Sequence, residues 1–236
     1  MKRAIFIALL SVFLFGMASC AGMPVPPETD LYDDFGNARF DGRYDGSRWK
    51  SSESRIPTVA QKAGKLSFFT DGPAESGCGR DLYSKALPVP LGGVRYVGAK
   101  LSLASPGNTK FSHVGVGLSC PGLERGDFLI CAYVLNQETR PVVFCSLEYV
   151  GKDNVVVYSY THDAGFEYGK EITVRIDLDG ATGAIRWSVD GVVVAETVSK
   201  DLLAAIGKKA KLWLSTVREA GAEALTTVDD AILYYL

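Results

Sequence analysis

Few residues of this 236-residue chain could do chemistry. His113 and His162 are its two imidazoles and could move protons. Neither lies beside a Ser or Cys motif such as G-x-S-x-G, and each sits at the end of a strand-like run, so both are read as structural. Carboxylates do acid–base work in pairs, and on a strand a pair at i and i+2 points one way. No run offers such a pair cleanly. Asp177 and Asp179 come closest, but Arg186 is placed to neutralise the first and a turn follows the second. Besides Cys20 there are Cys78, Cys120, Cys131 and Cys145, with no C-x-x-C among them, which argues disulfides over a metal centre. Four cysteines allow three connectivities. The expected one is Cys78–Cys120 with Cys131–Cys145, the latter bridging neighbouring strands around the turn at 137–141.

The elements that carry these groups read as strand after strand. Val114, Val116 and Leu118 alternate with small residues; Ile172, Val174, Ile176 and Leu178 share one face; so do Ile185, Trp187 and Val189. Turn residues at 151–154 and 179–183 join hairpins. The first hairpin sets Val150 opposite Val155, Leu147 opposite Tyr158 and Cys145 opposite Tyr160. Its apolar face is Cys145, Leu147, Tyr149, Val156, Tyr158 and Tyr160. Its wet face is Ser146, Glu148, Ser159 and Thr161, the candidate ligand-binding set, which would otherwise be plain solvent-facing residues. The second hairpin sets Ile176 opposite Trp187 and pairs Asp177 with Arg186 across the strands, leaving Arg175, Asp177 and Arg186 as a second polar group. Tyr158, Tyr160 and Trp187 fall on core faces, and Trp213 is undecided between Leu212 and Leu214. One short helix is expected over 200–206, capped by Ser199 and ended by Gly207. Many strands with little helix predict an all-β antiparallel sandwich, a single domain over 31–236.

The chain opens with Lys2 and Arg3, an apolar run over 4–15 and small residues before Cys20, the pattern of a secretory leader too short to span a bilayer. Met17-Ala18-Ser19-Cys20 resembles the bacterial lipobox, which implies removal of residues 1–19 and lipidation of Cys20. Residues 20–30 carry three prolines and read as a tether. Ala21, rather than Asp, after the Cys implies the outer membrane by resemblance to Gram-negative sorting. The expected place is therefore the bacterial cell envelope, with the membrane as a partner through the lipid anchor. A net charge of −2 and the lack of any Lys/Arg stripe argue against nucleic acid.

Several segments resemble, in order, the concanavalin A-like lectin and glucanase superfamily: Asp33-Asp34-Phe35 with Asp45-Gly46-Ser47-Arg48-Trp49, then Tyr96–Leu101, then Ile172–Asp177 with Gly183–Gly191, and finally Val228–Ile232. The resemblance implies a jelly-roll sandwich and a function drawn from lectins, sugar-binding modules and glycoside hydrolases. The hydrolases carry Glu-x-Asp-x-(x)-Glu on one central strand, because a retaining glycosidase needs two carboxyls about 5 Å apart. The corresponding strand here, Phe128–Val134, holds no carboxylate, and Glu124 and Asp127 precede it in what reads as a turn. The resemblance also implies a structural calcium near Asp34, Asp229 and Asp230, which would otherwise be exposed strand-end acids. The function expected is thus a lipid-anchored carbohydrate-binding module without catalysis, its ligand a glycan or envelope polymer. An envelope structural lipoprotein with a protein partner is the alternative, and a hydrolase with displaced carboxylates, Glu148 among them, the third.

Overall fold

The computed structural model describes residues 31–235 apart from 53–57, 70–77, 86–88, 105–111, 138–139, 152–153, 164 and 219–225. The leader, Cys20 and the tether lie outside the described residues. Sixteen strands follow in order: β1 (Leu31–Asp33), β2 (Trp49–Ser51), β3 (Thr58–Lys62), β4 (Lys65–Phe69), β5 (Cys78–Ser84), β6 (Val89–Pro90), β7 (Val94–Leu103) and β8 (Ser112–Leu123), then β9 (Gly126–Gln137), β10 (Arg140–Val150), β11 (Val155–His162), β12 (Glu171–Asp179), β13 (Ala184–Val189), β14 (Val192–Val198), β15 (Lys209–Arg218) and β16 (Thr226–Tyr235). The helix α1 (Lys200–Ala205) lies before β15; Ser199 caps it by accepting from the Leu202 N–H, as expected. Among the described residues no helix is long and apolar enough to cross a membrane.

The strands form two antiparallel sheets. The first runs β14-β13-β12-β7-β16-β4-β3, with β1 also on β16; the second runs β11-β10-β9-β8-β15-β5-β2, with β6 also on β15. This is the expected jelly-roll sandwich. Alternation explains the core: Ile172, Val174, Ile176 and Leu178 from the first sheet meet Val114, Val116, Leu118, Phe128 and Ile130 from the second, all buried. Two indole N–H groups are hydrogen-bonded inside. Trp187 donates to the Cys131 carbonyl at 2.9 Å, tying the sheets together, and Trp49 donates to Asp33 at 2.7 Å.

The hairpin registers hold in their interiors. Cys145 faces Tyr160 and Leu147 faces Tyr158, while a bulge between Leu147 and Glu148 puts Tyr149, not Val150, opposite Val155. Ile176 faces Trp187 and Asp177 faces Arg186, but the ion pair expected there does not form. Arg175 takes Asp177 from two residues away, and Arg186 takes Glu196 of β14. A second strand beside β13 supplied a nearer partner. Tyr160 is another departure: it stays 43 % exposed, because β11 is the sheet edge and overhangs the core. Cys145, Leu147 and Tyr149 of β10 are in the core, and from β11 Tyr158 reaches inward to stack on Trp187 at 5.5 Å. That stack joins β11 to β13, the neighbour of β14, and so sets β11 and β14, one end strand from each sheet, on one flank of the sandwich. The flank exposes Val155, Val156, Val157, Val192, Val193 and Val198.

The disulfide expectation is corrected. Cys120, Cys131 and Cys145 are buried free thiols, and the side chain of Cys78 lies outside the described residues. Cys145 opposes Ala132, whereas Cys131 opposes Ser146, so Cys131 and Cys145 point to opposite faces of the second sheet. Neighbouring strands alone do not bring two thiols together; they must also share a face.

Candidate functional site

The face of the second sheet turned away from the core gathers most of the candidate residues. Antiparallel partners share a face, so the register sets rows across the sheet. One row reads Lys50, Tyr83, Trp213, Gly117, Cys131, Ser146 and Ser159 from β2 to β11. The row on one side holds Lys211, Ser119, Leu129 and Glu148; the row on the other holds Asp81, Ser215, Gly115, Tyr133, Phe144 and Thr161. Beyond it lie Val217, His113 and Leu135.

The floor of this face is packed rather than wet. Leu129, Cys131, Tyr133 and Trp213 form a second buried cluster, with Tyr83, Leu135 and Phe144 against it. Glycine on β8 makes the packing feasible. A Cβ on Gly117 would stand 2.3 Å from the Ile130 carbonyl oxygen and 2.7 Å from the Cys131 Cβ, and one on Gly115 would stand 2.7 Å from the Tyr133 ring.

Polar groups are set into this floor with fixed partners. Glu148, half-buried, accepts from the Ser146 hydroxyl on one oxygen and from the Tyr133 hydroxyl, at 3.4 Å, on the other. The Cys131 thiol lies 3.2 Å from the Ser146 hydroxyl. Burial, then the Glu148 charge, drives its pKa far up, so it stays a thiol and is no nucleophile. Asp81 is hydrogen-bonded by Ser215 and Trp213, yet burial outweighs these bonds and raises its pKa. Burial, then the charges of Asp81 and Asp127, pushes the Tyr83 phenol up to about 12. His113, 3.5 Å from the Ser215 hydroxyl and against the Tyr133 ring at 4.5 Å, is held neutral, its pKa lowered to about 3 by burial. A base so depressed is poorly matched to proton transfer near neutral pH.

The expected ligand-binding set is thus brought to one face, in unequal roles. Ser146 is fully buried and serves Glu148; Glu148 is half-exposed; Ser159 and Thr161 are exposed on the edge strand. What sequence reasoning missed lies on distant strands: Lys50, Asp81, Tyr83 and Lys211. A groove of about 310 Å³ opens beside this floor, lined by Lys50, Tyr83, Ser119, Asp127 and Lys211 together with Ser51, Ser52 and Pro121. Asp127 belongs to β9 itself rather than to the preceding turn. It opposes Val150, two residues before Leu129, so it and Glu148 are diagonal neighbours on one face. Such neighbours lie about 7–8 Å apart, their Cβ atoms somewhat closer. Asp81 is four strand steps across and four residues along from Glu148, about 23 Å at 4.8 Å per step and 3.4 Å per residue.

The other candidates lie elsewhere. Arg175, Asp177 and Arg186 are on the outer face of the first sheet, satisfied by ion pairs and by Arg175 packing 4.0 Å over the Tyr96 ring. Asp229 and Asp230 face Lys65 and Lys100, and Asp34 accepts the Gly36 N–H. Among the described residues no group of three or more His, Cys, Asp or Glu is placed to hold a metal ion. His162 packs edge-on against Phe166.

No family model matches the chain, and no curated protein matches it in sequence. Solved structures do match in fold. The β-glucanase of Bacillus licheniformis superposes with a TM-score of 0.59 at 14 % identity, over 86 % of this chain and 96 % of that one. The LamAcat structure from Zobellia galactanivorans gives 0.62 at 11 % identity, over 86 % and 95 %. The carbohydrate recognition domain of Emp47p gives 0.58 at 10 % identity, over 89 % and 96 %. The architecture of this chain is therefore the concanavalin A-like jelly-roll sandwich that glucanases and carbohydrate recognition domains share.

Proposed function

We propose that the chain is a lipid-anchored carbohydrate-binding protein of the bacterial envelope, and that it holds a glycan on the outer face of its second sheet without cleaving it. The observation that carries this reading is the organisation of that face. Glu148, held by the buried Ser146, and the exposed hydroxyls of Ser159 and Thr161 share this face with a packed aromatic cluster in which Tyr133 and Trp213 are buried and Tyr83 is the part-exposed ring. Sugars are gripped by aromatic planes next to preset hydrogen-bonding groups, and groups already locked by their neighbours lose little freedom on binding. Structural neighbours with the same fold include a carbohydrate recognition domain and a carbohydrate-binding module from Bacillus subtilis, which supports the reading as an analogy of fold. The anchor rests on Met17-Ala18-Ser19-Cys20.

A glycan array probed with the purified protein tests the reading. Binding that falls at least tenfold in the Glu148→Gln/Thr161→Ala double variant supports both the activity and the site. Binding unchanged by it moves the site elsewhere, and no binding to any glycan sinks the proposal. For the anchor, a clickable fatty acid should label the wild type and leave Cys20→Ala unlabelled.

A hydrolase is the second reading, favoured by the Asp127–Glu148 diagonal. An inverting enzyme holds its two carboxyl groups about 6.5–9.5 Å apart to leave room for a water, and two side chains set diagonally on one sheet face can reach such a separation. Against it, Leu129 stands opposite Glu148 within the diagonal, and Asp127 accepts the Gly122 N–H at 3.2 Å. Release of reducing ends from a β-glucan, abolished in both Asp127→Asn and Glu148→Gln, would establish this reading over the first.

A further inference from the structure

We propose that the groove at the β2–β15 end of this face is the subsite for a negatively charged sugar unit, one bearing a carboxylate or a sulfate ester. The proposal rests on the glycan-binding reading and gives it a ligand class. Its basis is an imbalance of charge inside a concave site. Lys50 and Lys211 both line the groove, yet among the described residues neither has an ion-pair partner. Four cations of the opposite sheet, Lys65, Lys100, Arg175 and Arg186, each have an ion-paired carboxylate, though among the described residues Lys62 and Arg95 do not. Among the described residues Asp127 is the single carboxylate lining the groove; it pairs with neither lysine and is turned to the Gly122 N–H. The described lining therefore carries one positive charge in excess.

Geometry puts the two ammonium groups where one anion can meet both. Lys50 on β2 and Lys211 on β15 are two strand steps across and two residues along from each other, about 12 Å, with Tyr83 of β5 on the strand between. Each flexible side chain can reach toward the middle of that span. Tyr83 remains a protonated donor there, and its ring supplies an apolar plane for the sugar body. Ser119 adds a hydroxyl opposite Lys211. Of the other acidic groups of the face, Asp81 is a diagonal neighbour of Lys50, two residues along β5 from Tyr83, with its carboxyl pKa raised by burial; Glu148 is three strand steps from Lys211, about 14 Å and beyond the screening length at physiological salt.

The test uses the purified full chain in detergent with a polyuronate, a sulfated galactan and a neutral β-glucan, each titrated at 50 and 500 mM NaCl. The expected result is at least tenfold tighter binding of one acidic polymer than of the neutral one at low salt. That preference should shrink severalfold at high salt and fall to near unity in Lys50→Ala/Lys211→Ala. The Lys50→Arg/Lys211→Arg variant, which keeps the charges, should retain the salt dependence, separating charge recognition from damage to the fold. Which acidic polymer binds distinguishes carboxylate from sulfate. Equal affinity for acidic and neutral polymers, or a preference that survives the alanine variant, overturns this inference and leaves glycan binding standing. Failure to bind any of the three, or anything on a broad array, overturns both.

Discussion

His113 shows how burial on the site face becomes a pH dependence. Its folded pKa, about 3, lies below the ordinary 6.5, so the folded state refuses a proton that the unfolded chain accepts. Stability contributed above pH 6.5 is therefore lost as pH falls from 6.5 toward 3, by up to ~5 kcal/mol at 1.36 kcal/mol per unit. Urea titrations of wild type and His113→Gln at pH 7.5, 5.5 and 4 should show the gap between them changing in favour of the variant on acidification; a constant gap would refute the assignment. At the other end of the face, Glu148→Ala should cost about 1–3 kcal/mol, because the buried Ser146 hydroxyl loses its acceptor. Exposed Thr161→Ala should stay within about 0.5 kcal/mol. Melting curves in denaturant check both. Period-two alternation alone made Ser146, Glu148, Ser159 and Thr161 legible as one face. It could not assign Ser146 its role, since burial on that face depends on Trp213, Tyr133 and Cys131 from β15 and β9. Lys50, Asp81, Tyr83 and Lys211 were invisible as partners, because only the strand order makes β2, β5 and β15 neighbours.

At the scale of elements, local chemistry was readable and long-range pairing was not. The β10–β11 and β12–β13 hairpins follow from their turns, and α1 from Ser199. The bulge after Leu147 left no signal in the sequence, and it shifted the turn-proximal pairing by one residue. Val192–Val198 was missed as a strand, which is why Arg186 was assigned to Asp177 rather than to Glu196. The two β8 glycines belong to this scale. Gly117→Ala would press a methyl against the Ile130 carbonyl and should destabilise by about 1–3 kcal/mol or more. Gly46→Ala, where a Cβ meets nothing within 4 Å, is the control and should be near neutral. Equal melting temperatures for the two variants would mean that the sheet gives way freely at Gly117.

Across the whole molecule, the sandwich is closed by pairings between distant segments: β8 with β15 and β7 with both β12 and β16. Loop closure of that kind comes at a steep entropic cost before it is rewarded, so folding should be slow for a domain of this size. Composition and order of motifs were enough to name the architecture; the pairing of β7 with β16 and β8 with β15 depends on contacts no local window contains.

That slowness gives the valine-rich flank a further consequence. Sheet edges are ordinarily protected by a lysine, a proline or an inward charge. β11, Val155–His162, is an eight-residue edge with no acidic, lysine, arginine or proline residue, and its first three valines are 42–54 % exposed. In a chain still assembling its distant pairs, such a ribbon offers open N–H and C=O groups to any neighbour and invites intermolecular cross-β growth. A gatekeeper charge at one exposed position should suppress this at little cost to the native state. Val156→Lys is expected to raise the soluble yield on refolding from urea at micromolar concentration, with a melting temperature close to wild type. If light scattering during refolding is the same for both proteins, this edge is not where the chain begins to aggregate.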